Sequence, residues 1–317
     1  MRRRSGVPAS PLPQRDGIDA VRLRLPADGG WPTVRDHLVE RYGRAIGADR
    51  VDAMLAAGEF LAADGPLAPD APYRPGAFVW FHRELEPEVP VPFGIEVLHR
   101  DERIVVADKP HFLATTPRGV HVRETALARL RRDLGLPRLS PAHRLDRLTA
   151  GLVLFVVAPE HRAAYQGLFE RRAVRKEYLA VAGCGPGPVL PRTVRSRIVK
   201  ERGELAAREV AGEPNSETRI EPDGCRDGLC RYRLHPHTGR THQLRVHMAA
   251  LGVPILGDPL YPHVLPEPAP DDFRSPLQLL AAVLEFRDPV TGRQERFETR
   301  RTLAAWTDRP AWERGPS

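Results

Sequence analysis

The stretch HRLDRLTAGLVLFVVA, residues 143–158, joins two kinds of sequence. Its second half is apolar at every position over Leu152–Val157, without the alternation of a half-solvated strand, and this predicts a strand buried on both faces. Its first half, His143-Arg144-Leu145-Asp146-Arg147-Leu148-Thr149-Ala150-Gly151, is the densest polar cluster in the chain. Asp146 therefore stands at the mouth of a core element, with Arg144 and Arg147 nearby to favour its ionised form. An ionised carboxylate can act as a nucleophile or steady a cationic transition state. An ordinary surface Arg–Asp pair is the simpler account of this segment taken alone.

Around this point the periodicities change without regular alternation of strand and helix. Strands are predicted at Arg103–Ala107, Glu177–Ala182 and Arg231–His235. Helices are predicted over Glu124–Leu134 and from Pro159 to about Arg171, where proline suits the first helical position. A further helix, Thr241–Leu251, carries Leu244, Met248 and Leu251 on one stripe and has Gly252 just past its end. Near the C-terminus, Leu284–Arg287 and Glu295–Glu298 flank Asp288-Pro289-Val290-Thr291-Gly292, a hairpin pattern. The mixture favours an α+β class over a doubly wound sheet.

A smaller unit precedes this region. Thr33 is placed to cap a helix bearing Val34, Leu38 and Tyr42, and Asp49 to cap a second bearing Val51, Met54 and Leu55. Short extended pieces follow and end in Ala77-Phe78-Val79-Trp80-Phe81, an alternating strand in which at least one of Trp80 and Phe81 should be core. The expected organisation is a loose basic tail at 1–16, a small α/β unit at 17–83 and an extended linker at 84–92 (ELEPEVPVP). A larger domain at 93–305 and a tail at 306–317 complete it.

Composition narrows the classes. The 317 residues carry 48 Lys+Arg against 41 Asp+Glu, a formal charge of +7, and are 41% hydrophobic. That is enough apolar material for a proper core. Only Lys109, Lys176 and Lys200 are lysines, so the basic residues are nearly all arginine, the fork-shaped donor that suits phosphates. A coding bias that inflates arginine, alanine and proline together accounts for this equally, and net charge alone leans only modestly towards nucleic acid. The longest apolar run, Leu152–Ala158, is far short of the roughly 20 residues of a membrane span. The start, MRRRSGVPASPLPQRDG, lacks the apolar stretch of a secretory signal, and a cytoplasmic location is expected. Three cysteines, Cys184, Cys225 and Cys230, then suggest reduced thiols rather than a disulfide framework.

A second polar cluster, LHPHTGRTHQLRVH at 234–247, runs from a strand through a glycine turn into a helix start. Free N–H groups at such a turn suit an anion, with Arg240, His242 and Arg245 around it. His242 and Arg245 share a helix face, expected to lie beside the buried stripe rather than on it. A zinc site built from these histidines with Cys225 and Cys230 ranks low, because the cysteine spacing is looser than in common zinc modules. The chain lacks GxxxxGK[ST], GxSxG, HExxH and a well-placed GxGxxG, which argues against nucleotide hydrolysis, serine hydrolysis, zinc proteolysis and dinucleotide redox chemistry. No metal and no cofactor are expected.

HRLDRLTAG at 143–151 resembles the signature of the RluA-type pseudouridine synthases, HRLDxxTSG, with Ala150 in place of the common serine. Asp108-Lys109-Pro110 resembles that family's opening motif, Lys176-Glu177-Tyr178-Leu179-Ala180 its KxYxA element, and GRTHQLRVHMAALGVPILGDPLYP at 239–262 nearly its full third motif. Order and spacing agree across about residues 95–300. The resemblance implies a mixed, largely antiparallel sheet split by a central cleft, an RNA substrate (rRNA or tRNA) and no cofactor. It implies that Asp146 is the nucleophile, that Arg144 enters the space left by a flipped uridine, that Tyr178 packs on the base and removes the proton from its carbon 5, and that Arg245 pairs with Asp146. His143, Arg147, Thr149, Arg240, His242 and Gln243 are the expected substrate-binding residues around them. The front unit resembles the small RNA-binding domain named after ribosomal protein S-four, with its basic face diluted by Glu40, Asp49 and Asp52. A monomer is expected. Two alternatives stay open at this point: a noncatalytic RNA-binding or ribosome-assembly protein on the same scaffold, and a carboxylate-dependent glycosidase of small sugars, whose activity would be insensitive to salt.

Overall fold

The computed structural model describes residues 8–184 and 189–315, so part of the expected N-terminal tail lies outside the described residues. The chain divides into two compact units, Met1–Pro87 and Glu88–Ser317.

The first unit is an antiparallel sheet with two helices. Its strands are β1 (Val21–Arg24), β2 (Leu61–Ala62), β3 (Gly65–Pro66) and β4 (Phe78–Phe81), in the order β1-β4-β2-β3. Helix α1 (Val34–Ile46) starts where expected: the Thr33 hydroxyl accepts from the Asp36 N–H and the Asp36 carboxylate from the Thr33 N–H, a reciprocal cap. Helix α2 (Ala48–Ala56) has Gly47 rather than Asp49 at its cap. The two helices are separated by one residue, and Gly47 at φ 85° makes that break. Leu38, Val51, Phe60 and Val79 form the core with Phe81, and Trp80 is buried as well, so Trp80 and Phe81 are both structural.

The second unit holds a large mixed sheet. Its strands are β5 (Glu96–Arg100), β6 (Ile104–Lys109), β7 (Ser140–Pro141), β8 (Ala150–Val156), β9 (Val174–Gly183), β10 (Arg192–Val199), β11 (Arg208–Val210), β12 (Ser216–Arg226), β13 (Leu229–Pro236), β14 (Leu279–Arg287) and β15 (Gln294–Glu298). The order is β11-β10-β12-β13-β9-β14-β8-β6-β5, with β15 on β14 and β7 on β8. Among the described residues β14 and β8 run parallel and the remaining pairs antiparallel, as the α+β, largely antiparallel expectation requires. Strand β8 is buried at all seven positions.

The helices are α3 (Ala126–Leu134), capped by Thr125 and closed by Gly135 at φ 66°, then α4 (Arg162–Glu170) after a 3-10 turn begun by Pro159, then α5 (Gln243–Ala250). Helix α5 departs from expectation. It starts two residues late because His242 adopts φ 57°, and six consecutive residues, Gln243 to Met248, are buried. Arg245 is therefore inside the fold, not beside its buried stripe.

Both expected boundary segments are more ordered than their composition suggests. The Glu88 carboxylate accepts from the N–H groups of Val122, Arg123 and Glu124, and Val91 N–H donates to Glu124, so residues 88–92 are tied into the larger unit. At the other end α6 (Ala304–Thr307) and α7 (Arg309–Arg314) follow; Asp308 caps α7, and Trp312 is buried and donates to the Pro276 carbonyl. The cysteines also depart from expectation, since Cys225 and Cys230 are joined as a disulfide.

Candidate active site

Strand register sets the geometry. Gly151 on β8 pairs with Ala281 on β14, Ala281 with Tyr178 on β9, and Tyr178 with Leu234 on β13. The loop entering β8 thereby opens beside Tyr178, two strands away. Gly151 makes the row possible: at φ 108° it brings β8 so near β14 that a Cβ would lie 2.3 Å from the Ala281 carbonyl oxygen.

The Asp146 loop is held by its backbone. Thr115 Oγ1 donates to the Leu145 carbonyl at 2.8 Å and accepts from the Leu145 N–H at 3.1 Å. Thr149 N–H donates to the Asp146 carbonyl at 3.1 Å. Lys109 Nζ donates to the Arg147 carbonyl at 3.3 Å, and to those of Pro110 and Leu113. His111 Nδ1 lies 2.7 Å from the Leu148 carbonyl, so it is the protonated ring nitrogen. Four consecutive carbonyls are thus engaged, and the Asp146 side chain, 28% exposed, is left to the cleft. Burial pushes His111 down to about 4, which keeps this ring neutral.

Across the cleft Arg245 is 3% exposed. Its Nε and Nη2 bond Asp258 at 2.8 and 2.6 Å, while Nη1 lies 3.8 Å from Asp146. Burial opposes its charge and the fork to Asp258 more than offsets that. The guanidinium also lies over the Tyr261 ring. His242 stands between: Nδ1 meets the Tyr261 hydroxyl at 2.9 Å and Nε2 comes within 4.0 Å of Asp146. Burial lowers its pKa, against the pull of Asp146. Tyr178 is raised, by burial first and by Asp146 second, so its phenol rests neutral.

These groups enclose a cavity of about 230 Å³. Asp146, Tyr178, Arg245, Arg144, Thr149, Arg240, His242 and Gln243 line it together. Two expected residues do not. His143 stacks on Phe169 and accepts from the Leu154 N–H at 3.1 Å, and burial pushes it down to about 3, so it is a neutral part of the scaffold. Arg147 is half-buried outside the lining, its backbone rather than its guanidinium serving the site. Gln243 has both amide ends spoken for: Oε1 accepts from Thr238 and the Arg240 N–H, and Nε2 donates to the Glu217 carbonyl and Thr218. It shapes the 238–242 turn and takes up an N–H that the sequence alone leaves free for an anion. Arg118 and Lys176 join the lining too: Lys176 opens the KxYxA element but is not among the expected site residues, and nothing around Arg118 marks it.

The profile of the RNA pseudouridylate synthase family matches residues 103–250, which includes the Asp146 loop, Tyr178 and Arg245. A dual-specificity RNA pseudouridine synthase RluA from Pasteurella multocida is 35% identical over 213 residues, 62% of this chain and 89% of that protein. The chain belongs to the RluA-type pseudouridine synthase family. A second synthase of this kind, the ribosomal large subunit pseudouridine synthase D of Xanthomonas campestris, is 30% identical over 271 residues, 77% of this chain and 78% of that one. Among solved structures, human RNA pseudouridylate synthase domain containing 1 superposes on 68% of this synthase with a TM-score of 0.54 at 23% identity, a likeness of fold.

Proposed function

We propose that the protein isomerises a uridine of structured RNA to pseudouridine, with Asp146 as the nucleophile. The observation that carries this is the Asp146 carboxylate, held by four engaged backbone carbonyls and facing Tyr178 and Arg245 across a small cleft. The reaction cuts the bond from ribose to uracil N1, turns the base in place and rejoins it through carbon 5. Nothing is consumed, so the chemistry requires no cofactor. Asp146 attacks and is released as the base rejoins through carbon 5; Tyr178 packs on the base and takes the carbon 5 proton as its own phenolic proton passes to the freed N1; and the buried cation of Arg245 faces the carboxylate at 3.8 Å.

A stacked uridine must first be extruded, at roughly a few kcal/mol, and the exposed Arg144 fills the space it leaves. Arg118, Arg240 and Lys176 on the rim engage phosphates and hold the strand. Ribosomal RNA is the first substrate to try, because one relative is named for the large ribosomal subunit; tRNA is the second. We read the protein as a cytoplasmic monomer, the compartment following from that substrate. No helix among the described residues is long and apolar enough to cross a membrane.

The front unit is read as an S-four-like module with weakened RNA affinity. Arg35 is paired with Asp52, and Arg50 with Glu59 and Glu84, which neutralises two of the cations on its helices.

Asp146→Asn should abolish pseudouridine formation, measured by mass spectrometry of digested RNA, and leave RNA binding within a few-fold of wild type. A variant that still forms product would sink the nucleophile assignment. Wild type that binds RNA but yields no isomer on any candidate would favour the noncatalytic reading instead.

A further inference from the structure

The three cysteines stand apart from the cleft, and the isomerisation has no use for them. They arrive from three neighbouring strands. Cys225 on β12 and Cys230 on β13 face each other in register and form the disulfide. Cys184 directly follows β9, and its N–H donates to the Gly228 carbonyl at the tip of the β12–β13 hairpin. Its Sγ lies 2.7 Å from the Cys230 Sγ, and the three sulfurs fall within 4.8 Å of one another. The full sequence has only these three cysteines, separated by as many as 46 positions between Cys184 and Cys230.

A disulfide that closes a hairpin needs two cysteines. A third sulfur in contact with one member of the pair is the arrangement that thiol–disulfide exchange requires, since the attacking thiolate must reach a sulfur of the bond it breaks. We propose that Cys184, Cys225 and Cys230 form a thiol–disulfide exchange centre with Cys230 as the shared sulfur. Cys184, as thiolate, attacks the Cys230 Sγ; the Cys184–Cys230 bond forms, the Cys225–Cys230 bond breaks, and Cys225 leaves as thiolate. The proton given up by Cys184 is balanced by the one Cys225 takes from solvent, and no outside oxidant or reductant is consumed. The reverse step is the same reaction read backwards.

Exposure distributes the roles. Cys230 is buried while Cys184 and Cys225 are exposed. The shared sulfur is therefore shielded, and whichever outer cysteine is free meets soluble thiols and disulfides. The two bonded states differ in what they fasten. The bond to Cys225 closes the β12–β13 hairpin on itself, whereas the bond to Cys184 ties β13 to the end of β9, the strand that carries Tyr178.

The sequence makes a direct test possible. Arg226 separates Cys225 from Cys230, and Lys176 and Arg192 bracket Cys184, so trypsin places the three cysteines on three peptides. The intact protein, equilibrated in a glutathione buffer, is quenched in acid, alkylated with a maleimide, digested and read by mass spectrometry. The expected result is both linkages in wild type, Cys184–Cys230 and Cys225–Cys230, each accompanied by alkylation of the third cysteine. Cys225→Ser should give only the first linkage, Cys184→Ser only the second, and Cys230→Ser neither.

Wild type showing only Cys225–Cys230, with Cys184 alkylated throughout, would overturn the exchange. So would a stoichiometric zinc ion held by the reduced protein with all three thiols protected from the maleimide, because the cluster would then be a metal site. The wild-type measurement decides the matter even if a variant folds poorly.

Discussion

Arg245 gives its guanidinium fork to Asp258, at 2.8 and 2.6 Å, and only its remaining Nη1, at 3.8 Å, to Asp146. The strong pair thus lies behind the cleft, and the carboxylate in front is left uncommitted. Asp258 is fully buried and also accepts from the N–H groups of Leu260 and Tyr261, so it anchors the loop as well as the arginine. Asp258→Asn strands a buried guanidinium, which should cost about 3 kcal/mol in urea unfolding. Activity should fall as well, because Arg245 is then drawn onto Asp146. An unchanged unfolding midpoint would show that the pair does not hold the site together.

Gly151→Ala tests the approach of β8 and β14. The added Cβ would meet backbone atoms of Ala281 at 2.3 and 2.7 Å, and backbone cannot swing aside as a side chain can. The row that aligns Asp146 with Tyr178 must then part. A loss on the order of 3 kcal/mol in stability, with activity lost in the fraction that still folds, is expected. Thermal unfolding of the variant measures it, and a shift of under a degree would contradict the geometry.

How much of this was legible in the sequence depended on where each signal lay. Strand β8, the hairpin of β14 and β15, and the Thr33 cap carry local patterns that mark them. Strands β10 and β12 carry none: β10 is rich in arginine and β12 alternates glutamate and arginine at 217–221, both with few apolar residues, since that end of the sheet is largely solvated. The cleft residues on the quoted motifs were found, but the support behind them was not. Lys109, His111 and Thr115 act on carbonyls 30 or more positions away, and nothing in their neighbourhood announces it. His143 and Gln243 sit inside motifs and look like ligands for a substrate, yet packing turns His143 away from the cavity and hydrogen bonds to its neighbours occupy the amide of Gln243. Polarity at a motif position does not say which way a side chain faces.

Tyr178→Phe separates stacking from proton transfer. The ring stays and the hydroxyl goes, so RNA affinity should hold within a few-fold. If the phenol receives the carbon 5 proton, kcat should fall by about 100-fold or more, the usual scale of a lost general base. Single-turnover rates at saturating enzyme make the comparison, and a variant within threefold of wild type would remove Tyr178 from the chemistry.

Lys109 gives the fold a pH dependence of its own. Burial pushes its amine down to about 7, with Asp146 pulling the other way, against 10.5 for an ordinary lysine. Between those values the unfolded chain holds a proton that the folded chain has released. Stability therefore rises with pH across that window, at up to about 1.4 kcal/mol per pH unit for one proton, and the slope vanishes below pH 7, where both states are protonated. Lys109→Met removes this contribution and also deprives the carbonyls of Pro110, Leu113 and Arg147 of their donor. Urea unfolding at pH 7, 8 and 9 should show the variant less stable than wild type, by a gap that widens as pH rises. A gap that stays constant would mean that the three carbonyls hold the amine as a charged ammonium throughout, with all three of its N–H groups donated and the desolvation cost fully offset.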